Sequence, residues 1–184
     1  MLLDEVTEDD DAGLSMAAAL VASCTPAVTR RAVAQGDGGV LTAGGEPVVW
    51  GELLVAGGGS FRQQAVRWLE QNGAAQVSDT SDAVNAIYSL RDGGVVSSVP
   101  AATLGPTLDR VVVQVVRAPS GSVVLSAQGY HAPGTLAAAR YFVQTLLPAR
   151  ATLTTRWYVL EWEDLDASGG PTAGDRYTVI ASGS

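Results

Sequence analysis

The stretch VVWGELLVAGGGSFRQQAVRWLEQNG, residues 48–73, constrains the fold of this chain more than any other. An apolar run bounded by turn residues reads as a buried strand, which places Val48 to Ala56 in the interior of a sheet. Gly57, Gly58 and Gly59 follow as a tight turn. Ser60 and Gln63 stand at the spacing of a helix capping box, and Phe61, Ala65, Trp68 and Leu69 recur as the buried stripe of a helix. Asn72–Gly73 supplies its stop. Strand, glycine turn and helix together open a βαβ unit, and that unit requires a sheet with helices laid on its faces.

The remaining segments extend the same alternation. Thr7 and the acids of TEDDDAGLSMAAALVASC predict a helix whose first turn complements its dipole, with Leu14, Ala17, Ala18 and Val21 at helical spacing. Pro26 stops or restarts it before AVTRRAVAQ, and GDGGVLTAGGEP reads as two turns around a short strand. AAQVS and VVSSV predict short strands, and DTSDAVNAIYSLRDGG between them a capped helix ending at Gly93–Gly94. RVVVQVVRAP and SVVLSAQGY predict a hairpin around Ser120–Gly121. HAPGTLAAARYFVQTLLP is a second strong helix, with Leu136, Ala139, Tyr141, Val143, Leu146 and Leu147 as its apolar residues and Pro148 at its end. TRWYVLEWEDLD and DRYTVIASGS close the chain as two strands. The expected fold is α/β, a mixed sheet with flanking helices (a Rossmann-like sandwich) plus a C-terminal β-hairpin. A boundary near 148–155 divides it into an α/β core, 1–150, and a hairpin with an acidic loop, 151–184.

That loop, WEDLDASGGPTAGDRY, carries the clearest chemical pattern. With Asp164 as the first position, Asp166 is third, Ser168 fifth, Gly169 sixth, Gly170 seventh, Thr172 ninth and Asp175 twelfth. This is the spacing at which alternate oxygen donors of a calcium loop converge, glycine permits the sharp turn and a final acid closes the shell. The pattern departs from an EF-hand: serine is fifth, the closing acid is the shorter aspartate, Pro171 lies inside, and strands flank the loop. The competing reading is a solvated turn built from ordinary turn formers.

Other chemistries are less well supplied. The net charge is −8 and all eleven basic residues are arginine, which argues against a nucleic-acid partner; the Arg30–Arg31 doublet reads as a solvated helix face. The turn at Gly57, Gly58, Gly59 and Ser60 is an alternative anion or nucleotide site, yet it matches neither G-x-G-x-x-G nor the P-loop. His131 is the single histidine and no G-x-S-x-G elbow accompanies it, so no hydrolase machinery is legible. His131 reads as a lead into the following helix, and Cys24, the single cysteine, as a small core residue that cannot form an internal disulfide. LVASC resembles a lipoprotein processing site, but the acidic segment before it is the wrong charge for a secretory signal, and its apolar run is too short to span a membrane. Trp50 and Trp68 read as core residues. Trp157 and Trp162, five apart, face opposite sides of one strand, one inward and one outward.

Three segments carry a family resemblance. ELLVAGGGSFRQQAVRWLEQ is similar to the strand, double-glycine turn and helix of surface-layer (S-layer) proteins of archaea and some bacteria, although Gly59–Ser60 stands where proline and asparagine are common in them. VVVQVVRAPSGSVVLSAQGYHAPGTLAAARYF resembles their later unit, in which two strands lead to a glycine and a helix beginning Thr-x-Ala-Ala; DDAGLSMAAALVAS is similar to a helix preceding those units. The resemblance implies an extracellular structural domain of a kind that assembles into lattices and uses divalent cations, with no catalytic residues. The expectation is a non-enzymatic surface or assembly protein that self-associates and is stabilised by calcium at 164–175. The alternative is an α/β small-molecule or nucleotide-binding protein that uses the Gly57–Ser60 turn; the expected location is extracellular or the cell surface, otherwise cytoplasmic.

Overall fold

The computed structural model describes residues 2–3, 7–23, 33–34 and 38–184. In chain order the elements are β1 (Leu2–Leu3), α1 (Thr7–Ser23), β2 (Val33–Ala34), β3 (Leu53–Gly57), α2 (Gln64–Gln71), β4 (Val77–Asp79), β5 (Asn85–Leu90), β6 (Val95–Pro100), β7 (Leu108–Arg117), β8 (Val123–Gly129), α3 (Ala132–Tyr141), β9 (Trp157–Glu163) and β10 (Arg176–Gly183). Past Tyr141 the helix widens into a π turn, Phe142–Leu146, and runs on through Leu147–Ala149, just beyond Pro148. The main sheet has the order β10-β9-β7-β8-β3-β1-β2, and β4, β5 and β6 form a second, antiparallel sheet. The main sheet is mixed: β3 runs parallel to β8 and β1, whereas β7 is antiparallel to both β8 and β9. The α/β class, the mixed sheet and the terminal hairpin agree with the sequence.

Side-chain alternation along the strands sorts the core into two faces. On one face Val55, Val111, Val113, Leu125, Ala127, Leu160 and Trp162 pack against Ala12, Met16 and Ala17 of α1 and Ala137–Ala139 of α3. Small residues let α1 approach closely. A Cβ on Gly57 would lie 2.0 Å from the Asp9 carbonyl oxygen, so only glycine admits the helix here. On the other face Leu54, Ala56, Val116 and Val124 meet Ala65, Val66 and Leu69 of α2. Further along that face Val112, Trp157 and Val159 meet Val77 and Tyr88 of the small sheet. Gln114, 1% exposed, stitches the two sheets: its Nε2 donates to the Val77 carbonyl at 2.9 Å, and its Oε1 accepts from the Gln76 and Val77 amides.

The structure corrects several local expectations. DTSDAVNAIYSLRDGG is a turn followed by strand β5, because Asp82 Oδ1 accepts from the Val84 and Asn85 amides in an Asx turn and Ala86 and Tyr88 then alternate inward. The apolar run at 48–56 enters the sheet only at Leu53, and Trp50 is 83% exposed, lying over Gly121. Phe61 is 81% exposed and Trp68 half-buried, since α2 begins at Gln64, four residues after Ser60; its N-cap is Gln63, and no capping box forms. In α1 the buried face is Asp9, Ala12, Gly13, Met16 and Ala17, which leaves Leu14 and Ala18 exposed. Trp157 and Trp162 do face opposite sides, but both are buried, because the small sheet covers the face expected to be open. Of AVTRRAVAQ the two described residues, Val33–Ala34, are a strand; Cys24, Pro26 and Arg30–Arg31 lie outside the described residues.

Candidate metal centre

The acidic loop joins β9 to β10 at the outer border of the main sheet, and β9 is held in that sheet by pairing with β7. Asp164 leaves β9 with its amide donating to the Thr107 carbonyl at 2.9 Å, and the residue is only 7% exposed. Its carboxylate then folds the loop over itself: Oδ1 accepts from the amides of Asp166 (3.2 Å) and Ser168 (3.3 Å), and Oδ2 from that of Gly169 (2.9 Å). Ala167 and Gly169 supply the left-handed backbone of the reversal, with φ of 54° and 81°. Asp166 Oδ1 accepts from the Ser168 amide at 3.1 Å.

The far side of the loop closes on Asp175. Its Oδ2 accepts from the Thr172 amide at 2.7 Å and from the Trp162 indole at 2.9 Å. One carboxylate oxygen each from Asp164, Asp166 and Asp175 lies within 4.8 Å of the others, close enough to share one cation. Among the described residues no other group of three or more His, Cys, Asp or Glu converges in this way. At such separations each pair of unit charges repels by about 1 kcal/mol in a water-like medium and by about four times that in a partly buried one. The Thr172 hydroxyl lies 3.0 Å from Asp166 Oδ2 and 2.9 Å from Asp175 Oδ1, yet it has one proton for two carboxylates. A divalent cation at the convergence would offset that residual repulsion. Bonds from Ser168 and Thr172 hold the Asp166 carboxyl below its ordinary range, so the loop keeps this charge in mildly acidic solution.

The residues expected as ligands therefore divide into two groups. Asp164, Asp166, Thr172 and Asp175 come together, while the Ser168 hydroxyl donates to the Gly170 carbonyl at 2.7 Å, so that these two oxygens face each other. Two supporting residues were not legible as part of the site. Trp162 stands two residues before Asp164, but its indole bond depends on the hairpin register that sets it opposite Tyr177. Arg140, on α3, donates to the Pro171 carbonyl at 3.3 Å and is brought there only by tertiary packing.

The alternative anion turn is arranged differently. The Gly58 amide donates to the Ala127 carbonyl, and the Gly59 carbonyl accepts from Arg62 and Gln63. A Cβ on Gly58 would lie 2.5 Å from Asp9 Oδ2, so an anion approaching Gly57, Gly58, Gly59 and Ser60 would face a carboxylate. His131 is the N-cap of α3 and its amide donates to Asp109 Oδ2 at 2.8 Å, in keeping with a lead into that helix. Among the described residues no helix is long and apolar enough to cross a membrane. Comparison of the chain with protein-family models, curated proteins and solved structures found no match.

Proposed function

We propose that this chain is a non-enzymatic structural domain of the cell surface, in which residues 164–175 bind calcium and thereby order an edge hairpin used for self-association. The convergence of the Asp164, Asp166 and Asp175 carboxylates at the tip of that hairpin carries the reading. Calcium fits a donor set made wholly of hard oxygens in irregular geometry, whereas zinc and copper sites draw on imidazole or thiolate, which this loop lacks. Shorter aspartates and a partly exposed shell suit the millimolar calcium outside cells better than cytosolic levels.

The location of the loop supports the assembly role. Among the described residues β10 is the outermost strand next to β9, mostly exposed, with Val179 48% and Ile180 40% accessible. Beyond Arg176 it contains neither charge nor proline to keep the open edge from pairing with another chain, and its one protective irregularity is the break in register between Val179 and Ala181. A bound cation would neutralise the loop, fix the hairpin twist and present this edge to a second copy. The acidic balance of the chain, −8, makes nucleic acid an unsuitable partner.

Thermal unfolding in EDTA, millimolar calcium and millimolar magnesium tests the proposal, with an Asp164→Ala, Asp166→Ala variant alongside. A calcium-specific rise in melting temperature that the variant loses is expected, together with calcium-dependent growth in particle mass by light scattering. Superimposable melts for all three conditions would reduce the loop to a polar turn and sink the proposal.

A further inference from the structure

A cavity of about 510 Å³ opens where the small sheet parts from the main one. Gln76, Leu90, Arg91 and Asp92 line it from the small-sheet side, Trp157 and Gly183 from the main sheet. Gln114 joins the two sheets at Val77, and Val77 pairs with Leu90. Beyond that pair the chain turns away at 91–94, where the Gly93 amide donates to the Leu90 carbonyl at 2.8 Å and the Gly94 amide to Asp92 Oδ1 at 2.9 Å. On the opposite wall Trp157 stands between Gln114 of β7 and Gly183 of β10. Gly183 keeps that wall open: a Cβ there would lie 2.7 Å from Trp157 Cζ2 and 2.8 Å from its Nε1, pressing onto this edge of the indole. The volume falls within the range of small-molecule pockets, about 300–1,000 Å³. The cavity borders the end of β10 away from the acidic loop.

The lining residues combine both signs of charge with apolar surface. Trp157 and Leu90 supply the apolar part and belong to the cluster that joins the sheets. The Arg91 side chain lies against the end of α2, its Nε 3.9 Å from the place a Cβ on Gly73 would occupy, where the helix dipole favours a cation. Among the described residues the Arg91 guanidinium makes no ion pair or hydrogen bond, and neither the Trp157 indole N–H nor the Gln76 side-chain amide has a hydrogen-bond partner. Asp92 commits Oδ1 to the Gly94 amide and keeps Oδ2, so it is not paired with its neighbour Arg91. Free N–H donors and a free carboxylate oxygen therefore border one space beside an indole and an isobutyl group. A simple carboxylate entering this space would meet Asp92, and a simple amine would meet Arg91. A molecule carrying both charges on an apolar body matches each of them.

We propose that this cavity binds a zwitterionic α-amino acid with an apolar side chain. The carboxylate of the ligand accepts from Arg91 and the Trp157 indole, its ammonium donates to Asp92 Oδ2 and the Gln76 amide oxygen, and its side chain lies against Leu90 and the indole edge. The site uses no residue of the calcium loop and neither Val179 nor Ile180 of the β10 edge, so its failure would leave the calcium proposal untouched.

The test is a titration of the full ¹⁵N-labelled chain with L-phenylalanine, following the Trp157 indole resonance. The half-molecules 3-phenylpropionate, which lacks the ammonium, and phenethylamine, which lacks the carboxylate, are titrated alongside. Saturable movement with phenylalanine is expected, with each half-molecule bound about tenfold more weakly or worse. Arg91→Gln and Asp92→Asn, both at exposed turn positions, should each weaken phenylalanine binding by a similar factor; asparagine retains the oxygen that accepts from the Gly94 amide, and circular dichroism checks both folds. A half-molecule bound as tightly as phenylalanine would reduce the cavity to an apolar cleft and overturn the proposal. An indole resonance unmoved by phenylalanine, or binding unchanged in both variants, would overturn it as well.

Discussion

Trp162 donates its indole N–H to Asp175 Oδ2 at 2.9 Å, joining a wholly buried core residue to a carboxylate of the acidic loop. The loop is therefore anchored in the hydrophobic core at one end and held to β7's approach at the other, where the Asp164 amide meets the Thr107 carbonyl. A change in charge at the three aspartates has a direct route to the core.

The first prediction uses that route. Calcium binding should move the Trp162 indole ¹H–¹⁵N resonance, because an ion drawing on Asp175 weakens the oxygen that accepts the indole bond. A hydrogen bond to a charged group is worth about 1.5–3 kcal/mol, so Asp175→Ala should lower the unfolding free energy by roughly that amount in EDTA. If calcium raises the melting temperature while the indole resonance stays fixed, the ion binds somewhere else.

Strand pairing through β10 predicts that Ile180→Lys, at a 40% exposed position, will suppress calcium-dependent association and leave the monomer fold intact. Sedimentation velocity over a range of concentrations distinguishes the outcomes. An association constant unchanged by the lysine would assign self-association to another surface.

Stability should fall as pH rises from about 4.5 to 7. Glu70 has a folded-state value raised from 4.5 to about 7, and Asp109 one raised from 3.8 to about 7, each chiefly by burial. In both the folded state holds its proton more tightly than the unfolded chain, so the contribution is complete below the unfolded value and is lost as pH rises through the folded one. For Glu70 the difference corresponds to on the order of 3 kcal/mol. Urea unfolding at a series of pH values should give a slope over this window that Glu70→Gln reduces. A wild-type profile that is flat or rising there would show that burial leaves these carboxyls unshifted.

Gly57→Ala tests the closeness of α1 and β3. Its new Cβ would lie 2.0 Å from the Asp9 carbonyl oxygen, a backbone atom that cannot yield without shifting the helix. Overpacking of this kind should cost about 3 kcal/mol, read as a lower denaturation midpoint at constant slope. A loss below about 0.5 kcal/mol would mean that α1 is free to move away.

The sites differ in how much of them could be read from the chain. Asp164, Asp166, Thr172 and Asp175 lie within twelve consecutive residues, so ligand spacing and turn chemistry were visible locally. Arg140, which reaches the loop from α3, and Gln114, which joins the two sheets through Val77, are linked to their partners by no local pattern, and a glutamine inside a strand carries no signal of its own. Segment 79–94 misled because Asp and Ser can both cap a helix and close an Asx turn; docking decides, as Tyr88 packs on the main sheet and its hydroxyl donates to the Arg110 carbonyl at 3.2 Å.

By itself, the sequence determined the kinds of elements wherever periodicity was sustained: the α/β class, the hairpin around Ser120–Gly121, the long helix after His131 and the terminal hairpin with its acidic turn. These follow from hydrogen bonds and side-chain alternation within short stretches of chain. Only the tertiary structure decided which faces are covered. The small sheet β4–β6 lies over Trp157, Trp50 is left in solvent, and β3 and β8 are set side by side with their helices on opposite faces. Burial is a property of what packs from elsewhere in the chain, and a residue's neighbours in sequence do not specify it.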